Sequence, residues 1–309
     1  MHPAYSVILF TTASGAGYGL LALLGLVGFN HGQSSSLAFG LVSMVIALGL
    51  ITVGLLSSTF HLGHPERAWR AFSQWRSSWL AREGVAAVVT YVPALIFGLV
   101  WSGLVTAPGL IGPLGIITAV MAIVTVLCTA KIYSTLTTIR AWNTALTVAV
   151  YLAFSLATGA ALLAAITSVF GNFPGFLVAL SCVPLAITIG LKLAYWHAID
   201  TAPQDRTIEN ATGLGAIGRV SQWEVPHTSE NYVQKEMGYA VARKHTQKLR
   251  RLVVLALVLA MLLLLAALML PPVALLAAAV ALFAAVVERW LFFAEAQHVV
   301  TLFYGAKAA

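Results

Sequence analysis

Two side chains in the stretch 61–83, HLGHPERAWRAFSQWRSSWLARE, are of types that move protons: His61 at its start and Glu83 at its end. His61 closes one apolar run and Glu83 begins the next, so a short return of the chain brings both to one depth. An imidazole titrates near neutrality, and a carboxyl group withdrawn from water is displaced toward the same range. Such a pair can take up or release the two protons that accompany quinone/quinol redox chemistry. A histidine at a helix end also serves simply as an interfacial polar group, and spacing leaves both readings open. Between them lie His64, Glu66, Arg67 and Arg70 with Trp69, Trp75 and Trp79. Tryptophan suits the headgroup zone of a membrane, and part of this stretch is expected to lie on the interface as a short helix. Its charges read either as a surface anchor with orientation signals or as a docking surface.

Other apolar runs carry polar residues toward the same edge: Lys131, Tyr133 and Ser134; Tyr195 and His197; and Glu288, Arg289, Glu295, Gln297 and His298. Glu288 and Glu295, seven apart, fall on nearly one helix face. Glu288–Arg289 reads either as an ion pair that fixes packing or as part of a functional pathway. Lys192 is expected to extend its ammonium to the nearby edge. The opposite ends of the runs are nearly featureless. This one-sidedness predicts a site or docking surface at one membrane edge and argues against a through-membrane pathway. Haem is the rival for the histidines, but His61, His197 and His298 all fall near run ends, and none is near a centre where facing helices share an iron.

The elements that must position these groups follow from composition. The chain has 309 residues, 60% hydrophobic and 9% charged, with mean hydropathy +0.91, against about 25% charged in soluble domains. An ordinary soluble enzyme and a disordered chain are both excluded. A spanning helix takes about 20 apolar residues, and eight such runs are found, at 5–29, 37–61, 84–106, 114–136, 146–170, 174–198, 252–270 and 274–300. The predicted fold is an all-α integral membrane protein, a bundle of eight transmembrane helices forming one domain over 1–309, with a long loop at 199–251. The first run lacks a basic leader and is longer than a signal-peptide core, so a retained span is expected.

The loops at 30–36, 107–113, 171–173 and 271–273 contain no Lys or Arg, whereas the alternate loops hold Arg67, Arg70, Arg76, Arg82, Arg140 and the basic residues from Arg206 to Arg251. This segregation predicts cytoplasmic N and C termini and a cytoplasmic motif loop in a bacterial inner membrane. The net charge of +7 is therefore an orientation signal, not a nucleic-acid footprint. Cys128 and Cys182 lie in apolar runs without metal-ligand spacing, so no metal is expected on this chain. In the long loop, Gly213, Gly215 and Gly218 have no phosphate-loop context. The segment from Glu230 to Arg251 reads as a basic helix near anionic lipid, and Trp223, Pro226, His227 and Tyr232 are candidate contacts for a soluble partner.

The run His61-Leu62-Gly63-His64-Pro65-Glu66-Arg67-Ala68, followed by Ser78-Trp79-Leu80-Ala81-Arg82-Glu83, resembles the DmsC family, the eight-helix membrane anchors of DMSO-reductase-type molybdenum enzymes. The similarity extends to Lys131-Ile132-Tyr133-Ser134 with Trp142, to the last span around Glu288, and to Phe303-Tyr304-Gly305. The resemblance implies an anchor without redox metal or haem, which exchanges electrons with ubiquinone or menaquinone. It also implies two partners that carry the metals, a four-cluster ferredoxin-like iron–sulfur subunit and a molybdopterin catalytic subunit. The family's quinol-associated His and Glu map onto His61 and Glu83. On this reading Arg76, Lys131 and Tyr133 orient a quinone carbonyl, and His64, Glu66, Arg67, Arg70, Trp223 and His227 dock the partner. The sequence departs from DMSO reductase anchors at His64, where those have a small polar residue, and at Phe292, where those have a basic one. With a cytoplasmic motif loop, the resemblance is greater to the sulfite-oxidising (SoeC-type) branch, which passes electrons from sulfite to quinone. The alternatives are a DMSO or related S/N-oxide reductase anchor oxidising menaquinol and, in another class, a transporter or a non-redox scaffold. A transporter should carry inverted repeats, and no clear repeat is found.

Overall fold

The computed structural model describes all residues except 1–3, 61, 172–174, 204, 225–228, 230, 232–244 and 307–309. Eight of its helices are long and apolar enough to cross a membrane. They are α1 (Tyr5–His31), α2 (Leu37–Thr59), α3 (Trp79–Trp101), α4 (Pro108–Ser134), α5 (Ala145–Val169), α6 (Phe176–Asp200), α7 (Thr246–Ala266) and α8 (Val273–Ala294). Among the described residues the only strand-like pairing is one isolated bridge, between Ile139 and His298. The bundle is all-helical, as its composition requires: in hydrocarbon a helix satisfies every backbone group within itself.

Helix ends depart from the apolar count where polar chemistry outweighs hydropathy. α3 begins at Trp79 rather than 84, because Ser78 caps it by accepting the Ala81 amide at 3.4 Å. α4 begins six residues early with Pro108 in its first turn, where a missing N–H costs nothing. α7 starts at Thr246 and takes in Lys248, Arg250 and Arg251. α8 stops at Ala294, and a short 3-10 helix, Val299–Tyr304, follows. The expected interfacial helix is present as a 3-10 helix over Pro65–Gln74. Most of the segment expected to form a basic helix before α7 lies outside the described residues.

Burial separates centre from rim. In α1, 83% of the most apolar stretch is buried and in α5 78%, against 28% in α7. Lipid does not drive helices together, so close approach depends on small residues, and α1 is rich in them. A Cβ on Gly19 would overlap the Ser155 carbonyl oxygen, and one on Gly159 would overlap the Gly19 carbonyl carbon. The backbones of α1 and α5 therefore touch, running parallel. Gly25 and Gly115 join α1 to α4 in the same way, and Gly17 brings α1 against Ala47 of α2. α2, α3, α4, α6 and α7 turn large apolar side chains such as Val45, Val88, Val120, Val183 and Leu255 outward.

A buried carboxyl group and an internal charged triad

Ser78 sets the register of α3, so that Glu83 is its fifth residue, one turn inside the bundle and 4% exposed. Two features of the motif loop hold that turn in place. The Arg82 guanidinium donates to the carbonyls of Trp75 (2.9 Å) and Arg76 (2.6 Å) and covers the Trp79 ring at 4.3 Å. Phe72, in the 3-10 helix, packs where a side chain on Gly84 would stand. The carboxylate of Glu83 accepts a hydrogen bond from the Thr129 hydroxyl of α4. A second hydroxyl pair, Thr90 with Thr125 at 3.1 Å, ties the same two helices deeper down. Glu83 is thus a carboxyl group removed from water, with one neutral donor and a folded loop beside it.

The other sequence-predicted groups are distributed more widely. His61 lies outside the described residues, so its relation to Glu83 is not described. Lys131 is half-buried near the end of α4, and Arg76 is exposed, its guanidinium over the Trp75 ring at 5.4 Å. Tyr133 is buried in an aromatic cluster: Trp142 at 5.2 Å, Tyr151 stacked at 5.6 Å, and Phe292 and Phe293 at 5.6 and 5.4 Å between ring centroids. Phe292 stacks on Trp142, whose indole N–H donates to the Phe292 carbonyl at 2.9 Å. Among the described residues no hydrogen bond joins Arg76, Lys131 or Tyr133 to Glu83. His64, Glu66, Arg67 and Arg70 are exposed on the 3-10 helix; Glu66 accepts from His64 Nδ1 at 3.1 Å and lies 3.5 Å from Arg67 Nε. Trp223 is 97% exposed, and His227 lies outside the described residues.

The deepest charges form a triad. Glu288 of α8 lies 2.5 Å from Lys192 Nζ of α6 and 2.9 Å from Arg289 Nε, and all three side chains are sealed from solvent. Lys192 does not reach toward the membrane edge as its position suggested. Its ammonium turns inward over the Tyr195 ring at 4.0 Å, because a buried carboxylate repays desolvation better than one more turn of stretched side chain would. The Arg289 guanidinium stacks on Tyr151 at 3.7 Å. Nearer the surface, Arg250 of α7 joins Asp200 (2.6 Å) at the end of α6 to Glu295 (2.9 Å) after α8. Burial pushes the Glu295 carboxyl above the usual range against the opposite pull of Arg250.

Sequence reading missed a third feature, a polar cavity among α1, α4, α5 and α8. Gly15, Tyr18, Thr129, Tyr151, Ser155 and Arg289 are in its wall. The available signal was periodicity: Ser14/Tyr18, Thr125/Thr129 and Tyr151/Ser155 are hydroxyl pairs four apart, each on one helix face. The cavity encloses about 20 Å³, room for water but not for an aromatic ring. It touches Thr129 on one side and the triad on the other. Among the described residues no three His, Cys, Asp or Glu side chains gather as metal ligands would.

A bundle of eight spanning helices, glycine-welded at its centre and polar at one end, is the frame of a multi-pass membrane anchor, and the chain belongs to the DMSO reductase anchor subunit (DmsC) family, which it matches over residues 1–306. Among individual proteins it is similar to the membrane-anchor-family component of sulfite dehydrogenase from Allochromatium vinosum. The two are 30% identical over a 332-residue alignment that spans all of both chains.

Proposed function

We propose that this chain is the quinone-reactive anchor of a sulfite:quinone oxidoreductase. It would pass electrons between an iron–sulfur subunit of the four-cluster ferredoxin-like type and ubiquinone or menaquinone, with molybdopterin on a further catalytic subunit. The observation that carries the reading is Glu83, a carboxyl group withdrawn from water beside the motif loop and hydrogen-bonded by Thr129. The residues suit quinone as a group that needs protons at its oxygens. Bound quinone supplies two-electron, two-proton redox chemistry. Glu83 would hold or release a proton, with His61 as its companion, Thr129 would fix the carboxyl group, and Lys131, Tyr133 and Arg76 would orient a carbonyl oxygen. The internal cavity cannot take the ring, so the ring would sit at the loop end of the bundle.

The remaining parts of the proposal follow from charge. The chain forms one membrane domain over 1–309 with the 199–251 loop on the cytoplasmic side, both termini also cytoplasmic, in a bacterial inner membrane. The basic loops favour that side. The exposed His64, Glu66, Arg67, Arg70 and Trp223, together with His227, would receive the iron–sulfur subunit there. The similarity to a component of a sulfite dehydrogenase supports sulfite as the partner's substrate. The family's description as a DMSO reductase anchor favours a second reading, electron flow from menaquinol to an S- or N-oxide.

The test is a mild-detergent pull-down of the tagged chain, with molybdenum and iron analysis and both assays on the eluate. Sulfite-dependent quinone reduction is the expected result, and DMSO-dependent quinol oxidation would establish the second reading instead. A chain that elutes alone and metal-free would overturn both.

A further inference from the structure

The polar cavity presents two kinds of surface. On one side are donors without a protein partner of hydrogen-bonding geometry: Nη1 and Nη2 of Arg289, with the hydroxyls of Tyr18 and Tyr151 beside them. The Arg289 side chain is 3% exposed, and leaving such donors unmet in a membrane interior costs several kcal/mol. On the other side are hydroxyl oxygens whose single protons are already committed. Thr12 donates to the Ile8 carbonyl at 2.7 Å, Ser14 to Phe10 at 2.6 Å, Thr158 to Phe154 at 2.7 Å and Ser155 across to Gly15 at 2.7 Å. These oxygens therefore offer lone pairs to the cavity.

Donors facing acceptors define what fits between them. An anion would be served by Arg289 but would meet the hydroxyl lone pairs; a cation would meet the guanidinium. Water has two protons to give and two lone pairs to receive with, and about 20 Å³ holds about one or two molecules. We propose that this cavity is a water site, in which bound water joins the Arg289 guanidinium to Thr129 and, through Thr129, to Glu83. The space exists because of one residue. A Cβ on Gly15 would meet no atom within 4 Å, whereas on Gly19, one turn on, it would strike the Ser155 backbone.

The consequence for the anchor rests on the reading of Glu83 as the proton-handling group. Thr129 has one proton and two carbonyl-type acceptors in reach, Glu83 and the Thr125 carbonyl at 3.1 Å. Water that accepts from Arg289 and donates to the Thr129 oxygen polarises that hydroxyl and biases its proton toward the carboxylate, since hydrogen bonds in a chain strengthen one another. Arg289 and Thr129 are thus positioning residues for Glu83. No proton passes through the guanidinium, which stays charged.

The experiment is a cryo-EM map of the detergent-solubilised chain with whatever subunits co-purify, sharp enough to show water elsewhere in the bundle. Wild type should show a peak within hydrogen-bond distance of Arg289 and Thr129, and Gly15→Val should lose it. If valine prevents folding, Gly15→Ala takes its place, since its methyl group has open space. Gly15→Val should also lower quinone-linked turnover by about tenfold, the loss of one hydrogen bond to a charged group, with dye-linked turnover of the partner unchanged. A cavity without density in such a map, or a peak replaced by bromide on soaking, overturns the water site. Glu83→Gln separates the two readings. Full quinone activity in that variant refutes the role of Glu83 and leaves the map to decide the water site. Loss there with full activity in Gly15→Val refutes the coupling.

Discussion

Lys192 and Glu288, on helices six and eight, meet at 2.5 Å with their side chains 1% and 0% exposed. Arg289 takes the other oxygen of the same carboxylate at 2.9 Å, so two cations share one anion inside the membrane. Their surplus positive charge is offset in part by aromatic faces, Tyr195 under the ammonium and Tyr151 under the guanidinium, since ring quadrupoles attract desolvated cations.

This arithmetic ranks the variants. Glu288→Gln strands two buried cations and should cost about 3–5 kcal/mol. Lys192→Met leaves one cation against one anion and should cost less than half of that. Thermal melts in detergent, followed by tryptophan fluorescence, check the order. Equal losses would mean that the triad is not held together by its charges.

Glu83 stands at the centre of the proposed chemistry. Glu83→Gln keeps the size and the Thr129 contact but cannot ionise, and quinone-linked turnover should fall by at least about 100-fold, as expected for loss of an acid–base group. His61→Ala should abolish the same activity. In both variants the partner's activity with an artificial dye should persist. If dye activity disappears as well, the residue supports the assembly rather than quinone chemistry.

The glycines of α1 make opposite predictions one turn apart. Gly19→Ala forces a methyl group into the Ser155 carbonyl and should destabilise the bundle by about 3 kcal/mol or more, as overpacking at a backbone contact does. Gly15→Ala meets nothing within 4 Å and gains the helix propensity of alanine, about 0.5–1 kcal/mol. Melting temperatures of the two variants should move in opposite directions.

On the surface, Arg67, Arg70 and Trp223 project from the bundle without folding contacts that would require them there, apart from the Arg67–Glu66 pair and the stacking of Arg70 on Trp69 at 5.7 Å. If they dock the iron–sulfur subunit, Trp223→Ala should weaken co-purification by about 30-fold in affinity, as loss of an aromatic anchor does. Arg67→Glu with Arg70→Glu should weaken it further at low salt than at high salt. Unchanged recovery of the partner at every salt concentration would place the interface elsewhere.

His298 supplies a pH dependence outside the spans. Its Nδ1 accepts the Val300 amide at 3.0 Å and so caps the last 3-10 helix, and burial holds the imidazole below its ordinary 6.5. The unfolded chain therefore binds a proton more readily than the folded one, and stability rises with pH through this window. The cap is intact above pH 6.5 and is lost as the pH falls from there through the lower folded value. Wild-type melting temperature should drop over that range more steeply than that of His298→Ala, which already lacks the cap at every pH.

The eight spans, the all-helical class and the clustering of polar residues toward one edge were legible in the chain, because hydrocarbon imposes a single rule on any segment that crosses it and hydropathy reads that rule directly. The motif from Pro65 to Glu83 was legible as well, since Ser78, Trp79 and Arg82 act on their immediate neighbours. What required the fold were contacts between helices distant in sequence. Thr129 as the partner of Glu83, 46 residues away, carries no local signal. Lys192 was read outward because a lysine near a helix end can always reach water; only the packing of α6 on α8 put Glu288 closer than the surface. The cavity was decided by tertiary structure alone, for it is the space left where parallel backbones touch at Gly19 and Gly159 and diverge past Gly15, and periodicity fixes which face a hydroxyl occupies without saying what that face meets.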